Sequence, residues 1–204
     1  MIAIVDYGMG NRRSVEKALE HVGASPLITA DHDVIRRADH VVLPGVGAFP
    51  RAMRNIRRAG LDQVLTDRFL DGGPILGLCL GMQLLFDASD EHEGDTGLGL
   101  LPGRVRRLDT RGGRLPHIGW NLVTFARPSK LVDGLGDAAA FYHVHSFVCQ
   151  PDDDHDVVGR GEYGERFVSV VERDHVMGVQ FHPEKSSRDG LQLLRNFARV
   201  GVAA

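Results

Sequence analysis

Apolar residues in this chain occur in two spacings that take turns along it. Ile2–Val5 is an unbroken apolar run, as expected of a strand buried on both faces, and it ends in Asp6-Tyr7-Gly8-Met9-Gly10-Asn11. Val15, Ala18, Leu19 and Val22 then recur at i, i+3, i+4 and i+7, one face of a helix that Gly23 closes. Pro26–Thr29 reads as a second, weaker strand. Residues 41–43 read as a third, running into Pro44-Gly45-Val46-Gly47. Ala52, Met53, Ile56 and Ala59 predict a helix ending at Gly60, and Leu61, Val64, Leu65 and Phe69 predict another. Residues 74–78 form a fourth strand pattern, followed by a helical stretch over 80–86. Repeated strand–helix units predict a parallel sheet covered by helices on both faces.

The second half changes character. Residues 105–108, His117–Phe125, 140–149, 167–172 and 176–182 read as strands with turn residues between them. Gly112-Gly113 and residues 151–156 predict loops, and Asp152-Asp153-Asp154 a solvated turn. Leu191, Leu194 and Ala198 mark a final helix. No repeat, low-complexity segment or linker interrupts the pattern. Residues 1–204 are therefore expected to form one α/β domain whose sheet mixes parallel and antiparallel strands.

Composition narrows the function classes. At 204 residues the chain fits one ordinary domain, and 43% hydrophobic with 25% charged residues excludes disorder for its bulk. A formal net charge of −3 gives no basic field to attract nucleic acid. The two cysteines, Cys79 and Cys149, are too few for a disulfide framework and point to a reducing compartment. The N-terminus lacks the charge pattern and cleavage site of a signal peptide. The longest apolar stretch, 74–86, is broken by Gly77 and Gly81 and carries Gln83, whereas a membrane-spanning helix needs ~20 apolar residues. The expectation is a cytoplasmic protein with no membrane or nucleic-acid partner.

Three segments carry candidate chemistry. Gly77-Leu78-Cys79-Leu80-Gly81 joins a strand pattern to a helix pattern, the layout of a nucleophile elbow with Cys in the place of Ser. The helix start after it would favour the thiolate, and the Leu80 N–H would be placed to donate to an oxyanion. A buried structural cysteine in a glycine-rich turn fits the same five residues. The second segment is Gly178-Val179-Gln180-Phe181-His182-Pro183-Glu184. Pro183 biases His182 toward extension, and extension through Glu184 would turn both side chains to one side. A carboxylate beside an imidazole fixes its tautomer and stabilises its charged form, so the pair could relay protons to and from a thiol. A strand-end histidine next to a surface glutamate is the plainer reading. In the third segment, Val46 lies between two glycines at a strand end, so its peptide could present an N–H as a second oxyanion donor. All three fall at strand ends, where open α/β sheets place their sites, and together they supply the parts of an acyl-transfer site.

Other residues admit competing readings. His143 and His145 stand two apart on a strand, but no second Cys/His cluster stands at ligand spacing, so no metal site is expected. Gly8-Met9-Gly10 begins a dinucleotide-loop pattern that Arg13 fails to complete. Arg51, Arg54, Arg57 and Arg58 read as a solvated helix face or a partner-binding one. Trp120, the only tryptophan, reads as core or as an interface anchor.

With these residues assembled, 77–83 (Gly-Leu-Cys-Leu-Gly-Met-Gln) and 178–186 (Gly-Val-Gln-Phe-His-Pro-Glu-Lys-Ser) resemble the two signatures of triad, or class I, glutamine amidotransferases. Residues 44–49 (Pro-Gly-Val-Gly-Ala-Phe), 115–121 (Leu-Pro-His-Ile-Gly-Trp-Asn) and 144–147 (Val-His-Ser-Phe) are similar to the family of glutaminase subunits of imidazole glycerol phosphate synthases, enzymes of histidine biosynthesis. The resemblance spans essentially the whole chain. It implies a three-layer, flavodoxin-like α/β domain on a mixed, mostly parallel sheet. It implies Cys79 as nucleophile, His182 as base and acid, and Glu184 as the residue that orients it. Backbone N–H groups of Val46, Gly47 and Leu80 would form the oxyanion hole. Gln83 and the segment His145, Ser146 and Phe147 would bind glutamine. No cofactor is implied. Ammonia would pass to a (β/α)8-barrel cyclase in a heterodimer, with Asn11 and Trp120 facing that partner. A flip of the Val46 peptide would couple partner state to activity. Arg12, Pro50 and Phe147 depart from the family's usual apolar residue, Gly and Tyr. A glutaminase subunit of a different ammonia-using synthase is the alternative, and the Pro-Gly-Val-Gly segment argues against it.

Overall fold

The computed structural model describes residues 1–92 and 94–201. The first half builds β1 (Ile2–Val5), α1 (Arg12–His21), β2 (Pro26–Thr29), α2 (His32–Arg37), β3 (His40–Gly45), α3 (Phe49–Arg58), α4 (Leu61–Leu70), β4 (Ile75–Cys79) and α5 (Leu80–Leu84). Strands β5 (Phe86–Ser89), β6 (Asp95–Thr96), β7 (Leu101–Arg107), β8 (His117–Phe125), β9 (Ala138–His145) and β10 (Phe147–Pro151) follow. Then come β11 (Val157–Tyr163), β12 (Glu165–Arg173), β13 (Val176–Val179) and α6 (Ser187–Phe197).

The fold is α/β on a mixed sheet. Its parallel part runs β2-β1-β3-β4-β13, and β12 and β10 continue it with antiparallel pairings. Alternation along the strands sorts side chains to two apolar cores. Ala3, Val5, Val41 and Leu43 meet Ile35, Met53, Ile56, Val64 and Leu65 from α2, α3 and α4. Ile2, Ile4, Val42 and Leu78 meet Val15 and Leu19 of α1 and Leu194 and Phe197 of α6 on the other side. Three layers result, and each large side chain fully buried this way contributes about 1.5–3 kcal/mol. A second run of strands, β12-β11-β8-β9, folds back so that the end of β9 lies over the end of β4.

Several elements depart from the pattern predicted above. The helical stretch expected over 80–86 stops at Leu84, and Phe86–Ser89 becomes β5, bonded in parallel to β7. The single strand expected over 140–149 breaks at Ser146 into β9, which pairs with β8, and β10, which pairs with β7 and β12. The strand expected over 176–182 ends at Val179. Helix α2 and strand β11 have no counterpart in the sequence reading, because α2 buries only Ile35 and β11 carries Gly159 and Gly161 in its interior. Among the described residues no helix is long and apolar enough to cross a membrane.

Candidate active site

Cys79 stands at the junction of β4 and α5 with φ 54° and ψ −111°. That backbone costs a non-glycine residue strain, and it is the geometry that exposes an elbow side chain above the sheet. The flanking glycines make it possible. A Cβ on Gly77 would sit 2.6 Å from the Gly81 carbonyl oxygen, and one on Gly81 would overlap the Leu43 carbonyl oxygen. Leu80 is the first residue of α5, so its N–H has no partner within the helix.

The sulfur lies among groups from three other strands or turns. Its thiol reaches the Val144 carbonyl at 3.7 Å on β9, and the Gln180 carboxamide donates to it at 3.8 Å. The His182 imidazole lines the same cavity as the sulfur and donates from Nδ1 to the Glu184 carboxylate at 3.0 Å. Burial would push this imidazole down. The neighbouring Cys79 sulfur and then the Glu184 carboxylate more than reverse that and raise it to about 10. Cys79, His182 and Glu184 are thus one connected set.

The pairing arises differently from the way the sequence suggests. His182 is extended, at φ −103° and ψ 94°, but Pro183–Lys185 forms a 3-10 turn rather than more strand. The turn, not strand alternation, brings the carboxylate back to the ring. It is tied to β9 by the His182 N–H on the Tyr142 carbonyl and by Ser186, whose hydroxyl accepts the Tyr142 N–H at 2.9 Å and donates to the His182 carbonyl at 2.7 Å.

A cavity of about 300 Å³ opens over the sulfur. Val46, Gly47, Cys79, Leu80 and Gln83 line it from the first half of the chain, and His145, Ser146, Phe147 and His182 from the second. The nucleophile, oxyanion and glutamine-binding candidates therefore converge on one space. Among the described residues the N–H groups of Val46 and Gly47 make no hydrogen bond. Gly47 takes φ +105°, and Val46 is 41% exposed. The buried Tyr7 hydroxyl donates to the Pro44 carbonyl at 2.7 Å and steadies this strand end. Burial, then the charge of Cys79, pushes the Tyr7 phenol up, so it remains a donor.

Two expected interface residues part company. Trp120 is 56% exposed and stands with exposed Ile118 and Leu122 on one face of β8. Asn11 instead approaches the site, its amide donating to Glu184 Oε1 at 3.4 Å. Glu91 carries no signal in the sequence. It lines the cavity and accepts the Phe49 N–H at the start of α3 at 2.8 Å. It sits in a turn with no motif around it, and only the cavity singles it out. His143 and His145 point inward, but both ring nitrogens of His143 are engaged, by the Phe141 carbonyl and the Ser169 hydroxyl. Among the described residues no group of three or more His, Cys, Asp or Glu is arranged to hold a metal ion. Arg12 has its charge paired with Asp6, and Pro50 occupies the first turn of α3, where its missing N–H costs nothing.

The sequence and the fold match known proteins. Residues 3–200 fit the family described as glutamine amidotransferase class-I, and the chain belongs to that family. A solved structure titled "Crystal structure of glutamine amidotransferase" superposes with TM-score 0.75 at 20% identity, covering 97% of each chain. "Structure of PurLQS from Thermotoga maritima" superposes with TM-score 0.76 at 21% identity, covering 96% of each. The sequence relatives are much nearer. The imidazole glycerol phosphate synthase subunit HisH of Bacillus cereus (strain G9842) is 48% identical across 98% of this chain and 95% of its own. That of Aquifex aeolicus (strain VF5) is 48% identical across 96% and 95%. Within the class-I amidotransferases, this chain falls in the group of imidazole glycerol phosphate synthase HisH subunits.

Proposed function

We propose that the chain hydrolyses glutamine to glutamate and ammonia and hands the ammonia to a (β/α)8-barrel cyclase subunit, which makes imidazole glycerol phosphate and aminoimidazole carboxamide ribotide in histidine biosynthesis. The observation that carries the chemistry is the imidazole of His182, which shares a cavity with Cys79, is bonded to Glu184 at 3.0 Å and is raised to about 10. At neutral pH such a ring is an imidazolium, which holds beside the sulfur the proton that the leaving nitrogen needs.

The steps follow from that pair. The Cys79 sulfur attacks the glutamine carboxamide carbon, and the carbonyl oxygen takes up negative charge. The N–H of Leu80 and one from the Val46–Gly47 segment stabilise that oxyanion. His182 donates its proton to the leaving nitrogen, the C–N bond breaks, and ammonia departs, leaving a γ-glutamyl thioester. A water then loses a proton to His182 and attacks the thioester. The sulfur leaves and glutamate is released. Glu184 keeps Nδ1 of the ring occupied throughout, so that Nε2 faces the chemistry. Gln83, Ser146 and Phe147 supply polar contacts to the substrate, and the Glu91 carboxylate suits its α-ammonium.

The exposed apolar row Ile118, Trp120 and Leu122 offers a face for the partner subunit. Ammonia released into water would be protonated and lost as a nucleophile, so hydrolysis is useful only with the partner docked. The experiment is co-purification with the barrel cyclase, then a glutamine-hydrolysis assay with and without the cyclase's ribonucleotide. The reading predicts a stable complex and faster turnover with the ribonucleotide bound. Equal turnover in the isolated chain and the liganded complex would refute the coupling.

A further inference from the structure

Gln180 lies in the motif that carries His182, is fully buried, and has no part in the triad. Its carboxamide bridges two functional groups. Oε1 accepts from Gln83 Nε2 at 3.0 Å, and Nε2 donates to Cys79 Sγ at 3.8 Å. We propose that Gln180 is a positioning residue that fixes which end of the Gln83 carboxamide faces the substrate and presents a hydrogen-bond donor to the Cys79 sulfur.

The direction of this chain of bonds is forced by its far end. Gln83 Nε2 also donates to the Phe147 carbonyl at 3.1 Å. A carbonyl oxygen only accepts, so the Gln83 group facing it must be the NH₂. Gln83 then spends its two N–H donors on Phe147 and Gln180. Its remaining polar atom, Oε1, accepts from no protein donor among the described residues, while the side chain lines the cavity. Gln83 therefore offers the substrate an acceptor, suited to an N–H of glutamine. Gln180, accepting from Gln83 at one end, must point its own NH₂ at the sulfur.

The Phe147 carbonyl is held from behind as well. His145 Nδ1 lies 3.1 Å from it, His117 Nδ1 lies 3.0 Å from His145 Nε2, and Asn121 Nδ2 lies 3.2 Å from His117 Nε2. With the carbonyl as acceptor, each of these groups donates toward it in turn. Two relays thus meet at one oxygen, and the one through Gln83 and Gln180 ends at the nucleophile. A donor aimed at the sulfur stabilises its charged form, whereas the Val144 carbonyl can accept only from the protonated one.

The proposal rests on Cys79 being the nucleophile, and its test reads the sulfur without using glutamine. The titratable groups around that sulfur are Tyr7, Glu91, His145, Cys149, His182 and Lys185. None of them is changed by Gln180→Met, which keeps the side-chain length and removes both hydrogen bonds. In the full chain, the rate of Cys79 alkylation by iodoacetamide is followed against pH. The variant's midpoint should move up by about one pH unit, the scale of one hydrogen bond to a charged group. Its glutamine hydrolysis should lose about tenfold in kcat and rise in KM, because Gln83 is freed to turn. An unchanged alkylation profile in a folded variant overturns the proposal. A second readout needs no variant of Gln180. With side-chain ¹⁵N-labelled glutamines, one carboxamide signal should titrate with the alkylation midpoint and lose that titration in Cys79→Ala. No such signal overturns the proposal too. A wild-type Cys79 that is inert at every pH overturns the nucleophile reading itself, and this inference with it.

Discussion

At the scale of single residues, the account depends on how three side chains hold protons. Cys79→Ala should abolish glutamine hydrolysis while leaving the thermal transition within a few degrees of wild type, since the thiol contributes little packing beyond its Cβ. Glu184→Gln keeps the shape but replaces the charge on His182 Nδ1 with a neutral group. Hydrolysis should fall by about 10²-fold or more, as when an orienting carboxylate is neutralised in other triads. The His182 ring, raised to about 10, should remain protonated through neutral pH. Activity should then hold across neutrality and decline as pH rises through about 10, because the ring must carry the proton it gives to the leaving nitrogen. The ring's ¹³Cε1 shift, followed by NMR, should titrate in the same range. Titration near the ordinary 6.5 would contradict the coupling of imidazole and sulfur. The residues that carry this chemistry were readable because glycines and a proline punctuate them. Glu91 and Gln180 were not, since the first stands in an unmarked turn and the role of the second lies entirely in its hydrogen bonds across the sheet.

At the scale of elements, the site is held by two tight junctions. The first is the β4–α5 turn, where Gly81 packs against the Leu43 backbone. Gly81→Ala would force β3 and α5 apart, and should cost about 2–4 kcal/mol in urea unfolding along with nearly all activity, through overpacking that no side-chain rotation can relieve. The second is the break between β9 and β10 at Ser146, which lets one stretch of chain pair with β8 and then with β7. No glycine or proline marks that break, and strand-forming residues stand on both sides of it, so the sequence reads as one strand. The change of pairing partner depends on contacts with β7, β8 and β12, which periodicity does not encode. The same holds for β5: Phe86 continues the apolar run of α5, and bonding to β7 and β6 makes it a strand. The parallel half was legible because most of its strands are short apolar runs, and glycine or proline marks the ends of β3 and β4.

At the scale of the whole molecule, the histidines buried behind the site tie stability to pH. Burial first, then the charges of His117 and His182, push His143 down to about 3, with the Phe141 carbonyl opposing. Unfolded, this ring takes up a proton near 6.5. Between those values the unfolded chain holds more protons, so stability is fully present above 6.5 and is lost as pH falls toward 3. The loss from His143 alone is on the order of several kcal/mol. Urea unfolding at pH 7 and pH 5 should show the decline, and His143→Gln should flatten it. The same layered architecture gathers groups some hundred positions apart around one sulfur, and this convergence is the central claim. It is tested most directly by mixing the chain, its cyclase partner and the cyclase's ribonucleotide with glutamine, quenching in acid, and locating the acyl group by peptide mass spectrometry. The account predicts a γ-glutamyl group on the peptide that contains Cys79 and on no other. A chain that turns over glutamine with that peptide unmodified, or with the group on Cys149, would contradict it.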